Sequence, residues 1–243
     1  MNQIISPLVF VLFVALSPFA TADVYWNNNN GAGDRSWANA ANWIGGLPSA
    51  SGAGNAVIKP WPDLSQTPIV NTTGNTANQI YLEGGSFFTL VAGGGLTSTA
   101  LITGQSDNAG VVDIAGGVFQ TGNLLLGNGG YDGKLNISAG EVIASVLSIN
   151  TSGGALINID AGGKFTAPDS NLGNINYWIA NNAIIAENGL SGYSINVDTF
   201  SSPGNVVLTV LPEPGTVGLL GFSALLLGLA YLRGPFRNGK DRA

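Results

Sequence analysis

Val91-Ala92-Gly93-Gly94, Ile114-Ala115-Gly116-Gly117, Ile137-Ser138-Ala139-Gly140 and Ile159-Asp160-Ala161-Gly162 are four versions of one phrase, recurring about every 23 positions along the chain. A second phrase runs beside it: Leu101-Ile102-Thr103-Gly104, Leu124-Leu125-Leu126-Gly127 and Val146-Leu147-Ser148-Ile149-Asn150. Here Leu101, Leu124 and Leu147 keep the same spacing. Two tracks sharing one period identify a repeat. Within the units, Val112-x-Ile114, Leu135-x-Ile137 and Ile157-x-Ile159 enclose Asp113, Asn136 and Asn158. That alternation is the period-2 mark of a strand with one buried and one wet face.

A unit of this size cannot bury its apolar side alone, so neighbours must stack to complete a core. The expected fold is all-β, a parallel β-helix of ~23-residue coils lying ~4.8 Å apart. Val91, Ile114, Ile137 and Ile159 then form an inward aliphatic ladder, and Asp113, Asn136 and Asn158 an outward polar one. Gly116, Gly117 and their counterparts are expected at tight turns that take positive φ. Ile80-Tyr81-Leu82-Glu83-Gly84-Gly85 reads as an earlier, imperfect coil. A β-sandwich would also supply short strands and glycine turns, but it needs no fixed self-similarity. A propeller blade needs four strands and a period nearer ~40.

Working outward, the repeats occupy 80–168, between an N-terminal β capping region, 23–79, and terminal β coils or cap, 169–211. Four of the five tryptophans, Trp26, Trp37, Trp43 and Trp61, fall in the first of these flanks. They are expected to close one end of an elongated core, the alternative being a platform that stacks on sugar rings. Beyond Pro168 the period fades. Tyr177-Trp178-Ile179 and Ala183-Ile184-Ile185-Ala186 are apolar pieces, with Trp178 assigned to the cap. Tyr193-Ser194-Ile195-Asn196-Val197 alternates, and Val206-Val207-Leu208-Thr209-Val210 reads as a last strand.

Composition narrows the chemistry. Of 243 residues 36 are glycine and only 9% are charged, which suits a turn-dense β protein better than a helical one. From Asp23 to Leu211 twelve acids face four bases, Arg35, Lys59, Lys134 and Lys164, a net of about −8. Such a surface disfavours nucleic acid and anionic lipid as partners. There is no cysteine and no histidine, which removes disulfides, thiol nucleophiles, Ser-His-Asp triads and the commonest metal ligand.

No catalytic constellation is found among the remaining residues, and no cofactor or metal is expected. A polysaccharide lyase would need bunched calcium-binding carboxylates and a basic residue beside them. The acids Asp107, Asp113, Asp132, Glu141 and Asp160 are dispersed, although Lys134 and Lys164 fall on adjacent units within reach of Asp113 and Asp160. A glycosidase needs two carboxyl groups about 5–9 Å apart, which acids on one face of neighbouring coils can supply. Asp169-Ser170-Asn171-Leu172-Gly173-Asn174 echoes a calcium loop but has Ala180 where the bidentate Glu belongs, so it reads as a turn. Thr97, Thr99, Thr103 and Thr121 form no regular threonine ladder. Gly93-Gly94-Gly95 lacks the Lys-Ser/Thr of a phosphate loop. What remains as a candidate ligand face is Asp113, Asn136, Asn158 and Asp160.

The two ends carry addresses. Leu8 to Leu16 is an apolar run too short to span a bilayer, and Ala20-Thr21-Ala22 follows as a small-x-small cleavage site. Residues 1–22 therefore read as a secretory signal peptide. At the other end Pro212-Glu213-Pro214 precedes an uncharged run, Gly215 to Leu232. As a helix rising roughly 1.5 Å per residue, that run is long enough to cross a bilayer core. A tail with Arg233, Arg237, Lys240 and Arg242 follows and is expected to stay cytoplasmic.

This closing segment, 212–243, resembles the PEP-CTERM family of sorting signals in its tripeptide, its Gly/Leu-rich span and its basic end. The resemblance implies recognition by an exosortase-type processing enzyme, and membership among surface or matrix proteins made alongside exopolysaccharide. Pro212, Glu213, Pro214, Arg233 and Arg237 are the residues that carry it. The body is similar to autotransporter-type β-helix repeats, in Gly33-Asp34-Arg35-Ser36-Trp37 and Ala41-Asn42-Trp43 as well as in the repeat. The function expected is a non-enzymatic, exported surface or matrix protein, held by its C-terminal helix with the body outside the cytoplasm. The alternative is a carbohydrate-binding or carbohydrate-active β-helix protein using an acidic or aromatic face.

Overall fold

The computed structural model describes residues 23–27, 33–50, 54–59, 66–104 and 110–213. The expected signal peptide, Asp107, Trp61 and everything from Pro214 onward, including the apolar run 215–232, Arg233 and Arg237, lie outside the described residues. Among the described residues no helix is long and apolar enough to cross a membrane.

The described residues form a β structure with a single sheet of 13 strands. They are β1 (Val24–Trp26), β2 (Trp43–Ile44), β3 (Ala56–Ile58), β4 (Ile69–Val70), β5 (Asn75–Leu82), β6 (Phe87–Leu90), β7 (Gly95–Thr103), β8 (Gly110–Leu126), β9 (Gly133–Ile149), β10 (Leu156–Pro168), β11 (Ile184–Ala186), β12 (Tyr193–Asp198) and β13 (Asn205–Pro212). From β1 through β3, β5, β7, β8 and β9 to β10 every pairing is parallel. β8 and β9 stay paired over most of their length, with the sequence repeat as their register: Val112 lies opposite Leu135, Ile114 opposite Ile137, and Leu124 opposite Leu147.

β8 does not run straight. Its first part pairs with β6 and its later part with β7, two strands separated by Val91–Gly94. Register shifts fall between Ile114 and Val118, and pairing skips Gly122. At each break the buried phase changes: Val112 and Ile114 are buried, then Phe119 and Thr121, then Leu124 and Leu126. Each repeat unit is thus three short apolar-in segments joined by two bends.

Backbone packing dictates the bends. Gly117 and Gly140 adopt left-handed φ of 69° and 81°. A Cβ on Gly117 would collide with the carbonyl oxygen of Gly94, and one on Gly140 with that of Gly117. Stacked turns therefore need glycine twice over, for conformation and for room.

The core is one continuous cluster built of columns. Leu96, Phe119, Val142 and Phe165 form one, each opposite the next and each essentially without exposure. A column of small residues, Ala77, Ser98, Thr121 and Ala144, forms another. Its hydroxyls are satisfied internally: Ser98 donates to Thr121 at 3.0 Å, and Thr121 to the Asn123 carbonyl at 3.1 Å.

One expected ladder is corrected by a single residue. Leu90, not Val91, lies opposite Ile114, and Leu90 is fully buried while Val91 is half-exposed. The step there is longer by one than between Ile114 and Ile137, because the turn Val91–Gly94 separates β6 from β7 as a loop where β8 has continuous strand. Parallel pairing also reaches back well before residue 80. Ile80 lies opposite Ala56 and Ala56 opposite Val24, unequal steps that no fixed period exposes.

Both ends are closed by antiparallel elements. β2 folds back on β1, placing Trp43 opposite Trp26. Trp26, Trp37 and Trp43 are buried with edge-to-face contacts of 5.1 and 4.8 Å, and Trp37 continues to Phe88 at 6.0 Å and Phe88 to Phe119 at 6.2 Å. Trp43 donates its indole N–H to the Trp37 carbonyl at 2.9 Å. These rings offer no platform to a sugar; they are core. At the far end β13 pairs antiparallel with β10, and β12 with β13.

Between β10 and β11 stands α1 (Leu172–Ala180), where terminal β structure is expected from the sequence. Two asparagines or their like and Gly173 make it a poor helix on propensity. Ile175 and Trp178, one turn apart, bury into the core and hold it. A 3-10 turn, Asp169–Asn171, leads into it, so the calcium-loop echo is a turn that continues as helix. The body also runs past Leu211: Pro212 pairs with Tyr193, and the Glu213 N–H donates to the Gly192 carbonyl at 2.8 Å.

Candidate functional site

The polar line expected from the repeat exists as a register line. Thr89, Asp113, Asn136, Asn158 and Ile185 lie opposite one another across β6, β8, β9, β10 and β11. Asn136 donates to the Asp113 carboxylate at 2.7 Å, and both are half-buried. Asn158 is different. It is only 2% exposed, donates to Asp160 at 2.9 Å and accepts from the Asn188 N–H at 2.7 Å. A 3-10 turn, Glu187–Gly189, is clipped over this end of the line, with Glu187 also accepting the Ala161 N–H at 2.7 Å. Of the four candidate ligand residues, the structure brings Asp113 to Asn136 and Asn158 to Asp160. It leaves Asn158 inside a closed internal network.

Lys164 is drawn to Glu141, at 3.0 Å, and not to Asp160. The same Glu141 oxygen accepts the Thr166 hydroxyl at 2.9 Å, so the group knits β9 to β10. Lys134 lines a separate shallow cleft with Asp132, Leu156 and Asn181. Among the described residues no group of three or more carboxylate side chains is placed to hold a metal ion. Pro212 and Glu213 sit at the exposed end of the β12–β13 hairpin, the remaining sorting-motif residues lying outside the described residues.

A more open arrangement lies on the first three parallel strands. Tyr25, Val57, Tyr81 and Ile102 stand opposite one another across β1, β3, β5 and β7. Their neighbours in sequence, Val24, Trp26, Ala56, Ile58, Ile80, Leu82 and Leu101, all belong to the core cluster, and these four do not. They form an outward line. Tyr25 is 37% exposed and Tyr81 half-exposed, while Val57 between them is 4% exposed. The two tyrosines flank a cleft of about 220 Å³ bordered by Asp23, Asn55, Lys59 and Glu83.

Each polar group at this cleft has a defined partner. Lys59 reaches Glu83 at 3.7 Å and lies 5.2 Å from the centre of the Tyr25 ring. Asn55 donates to Asp23 at 2.9 Å and accepts from Asn78 at 3.1 Å. The Tyr81 hydroxyl donates to Gln79. Burial, with the Asp23 charge adding to it, raises the Tyr81 phenol above its ordinary value, so it stays a neutral donor.

Nothing in the repeat announces this site. Tyr25, Val57 and Tyr81 follow one another at unequal steps, and Tyr25 stands in an asparagine-rich segment beside the more conspicuous Trp26. The available signal is alternation: Val24-Tyr25-Trp26 and Ile80-Tyr81-Leu82 each place a tyrosine between two core residues. No protein-family model, no curated protein and no solved structure matches the chain.

Proposed function

We propose that this chain is an exported, non-enzymatic surface or matrix protein whose body is a parallel β-helix and whose C-terminal segment is a removable anchor. The observation that carries the reading is where the core packing thins out. Among the described residues the last strand, β13, runs to an exposed Pro212 with one further backbone bond at Glu213, immediately before the apolar run and basic tail in sequence. An anchor attached there can be cut away without touching a core residue, as a sorting signal recognised by an exosortase-type enzyme requires. Support for the β-helix comes from the in-register parallel steps and the three bent segments per unit. With the leader cleaved at Ala22, Asp23 begins the mature chain immediately before β1.

Carbohydrate association is the second reading, favoured by the tyrosine-flanked cleft. Exopolysaccharide is the partner expected of the PEP-CTERM resemblance. Mass spectrometry of the protein isolated from its own cells tests the leading proposal. The expected result is a chain beginning at Asp23, with the C-terminal segment either membrane-inserted or trimmed near Pro214. A chain retaining residues 1–22 in the cytoplasm would end it.

A further inference from the structure

We infer that the cleft between Tyr25 and Tyr81 binds neutral pyranose units of an extended polysaccharide. This deepens the carbohydrate reading and rests on it for its biological setting, but it concerns a property of the purified chain. The geometry comes from register. Tyr25 and Tyr81 occupy the same outward position two strands apart, hence ~9–10 Å from each other at the ~4.8 Å spacing of neighbouring strands. An extended β-linked glycan presents alternate sugar units on one side at a comparable spacing. Two aromatic faces on one straight line therefore suit a chain ligand better than a single small molecule.

Chemistry around the rings fits the same class. Val57 lies between the two tyrosines but is only 4% exposed, so the cleft between the rings is mainly polar. Asp23, Asn55 and Glu83 ring it with acceptors and an amide suited to hydroxyl groups, and the Tyr81 phenol stays protonated beside them. Charge selects against polyanions. Lys59, the cation among the described residues that border the cleft, is already engaged by Glu83, and the α-amino group that cleavage after Ala22 leaves on Asp23 balances its carboxylate, so the cleft offers a polyanion no excess positive charge. A uronic-acid polymer would meet net negative charge over the whole body. A neutral glycan meets none.

Affinity electrophoresis of the full chain, in gels containing a neutral β-glucan, a neutral galactomannan or a polyuronate, tests the inference. At least one neutral polymer is expected to retard the protein, and the polyuronate is not. Tyr25→Ala and Tyr81→Ala should each weaken retention about three- to tenfold, while the distant Tyr193→Ala leaves it unchanged. Should an alanine variant melt early, wild-type protein titrated with a soluble β-glucan oligosaccharide supplies the second readout. The ring-proton signals of Tyr25 and Tyr81 should shift and those of Tyr131, Tyr177 and Tyr193 should stay. Absence of retardation by either neutral polymer, preference for the polyuronate, or ring shifts confined to other tyrosines would overturn the site. None of those results touches the export reading, which a cytoplasmic location would overturn while leaving glycan binding intact.

Discussion

Gly117 shows how much a single position carries in this architecture. Its left-handed φ disfavours any side chain, and the carbonyl of Gly94 occupies the place a Cβ would take. Gly117→Ala is expected to lower stability by about 2–4 kcal/mol, read as a lower urea midpoint with an unchanged slope. At an exposed strand site such as Gln120 the corresponding change should stay within about 0.5 kcal/mol. The glycine turns were legible because Gly-Gly recurs with the apolar track. What the pattern hid was the reason for them at each level, since a carbonyl from the neighbouring turn leaves no trace in residue type. Ladder membership was hidden in the same way. Val91 and Leu90 are both aliphatic, and only the loop around Gly93 and Gly94 decides which of them points inward. Asn158 looked like Asn136 in the repeat, yet the distant turn at Asn188 covers it.

Among the elements, the β12–β13 hairpin closes the C-terminal end, and its turn is organised by Asp198. That carboxylate accepts from the Phe200 N–H at 2.7 Å and the Ser201 N–H at 3.0 Å. Hydrogen bonding from the Ser201 side chain, then from these two amides, holds its pKa below the ordinary 3.8. A depressed folded-state pKa means the contribution is present above 3.8 and is lost as pH falls through the lower folded value. Asp198→Asn should therefore reduce stability at neutral pH, and the gap to wild type should close as the pH is taken down below that ordinary value. Urea midpoints across that range check it; a gap constant with pH would reject the assignment. The hairpin was partly legible: Tyr193–Val197 alternates and Val206–Val210 is almost continuously apolar. α1 was not, because the helical spacing of Leu172, Ile175, Trp178 and Ile179 lasts little more than two turns among asparagines and a glycine of poor propensity, and tertiary burial of that face outweighs propensity.

At the scale of the whole molecule, successive repeat units stack in parallel and in register. A stacked body closed at both ends gives a chain without cysteine a self-contained core. It also explains why the tyrosines of β1 and β5 share a line despite their distance in sequence. The claim is open to a direct measurement, because the chain has no cysteine of its own. Asn123 and Val146 are exposed register partners on β8 and β9, so their Cα atoms are expected ~4.8 Å apart, within the span a disulfide bridges. Asn123 and Ser148 are diagonal, at roughly 8 Å, outside it. Under mild oxidation the pair Asn123→Cys with Val146→Cys should close completely to an intramolecular disulfide, and Asn123→Cys with Ser148→Cys should remain reduced. Equal closure of both pairs, or closure of the diagonal pair alone, would contradict the stack.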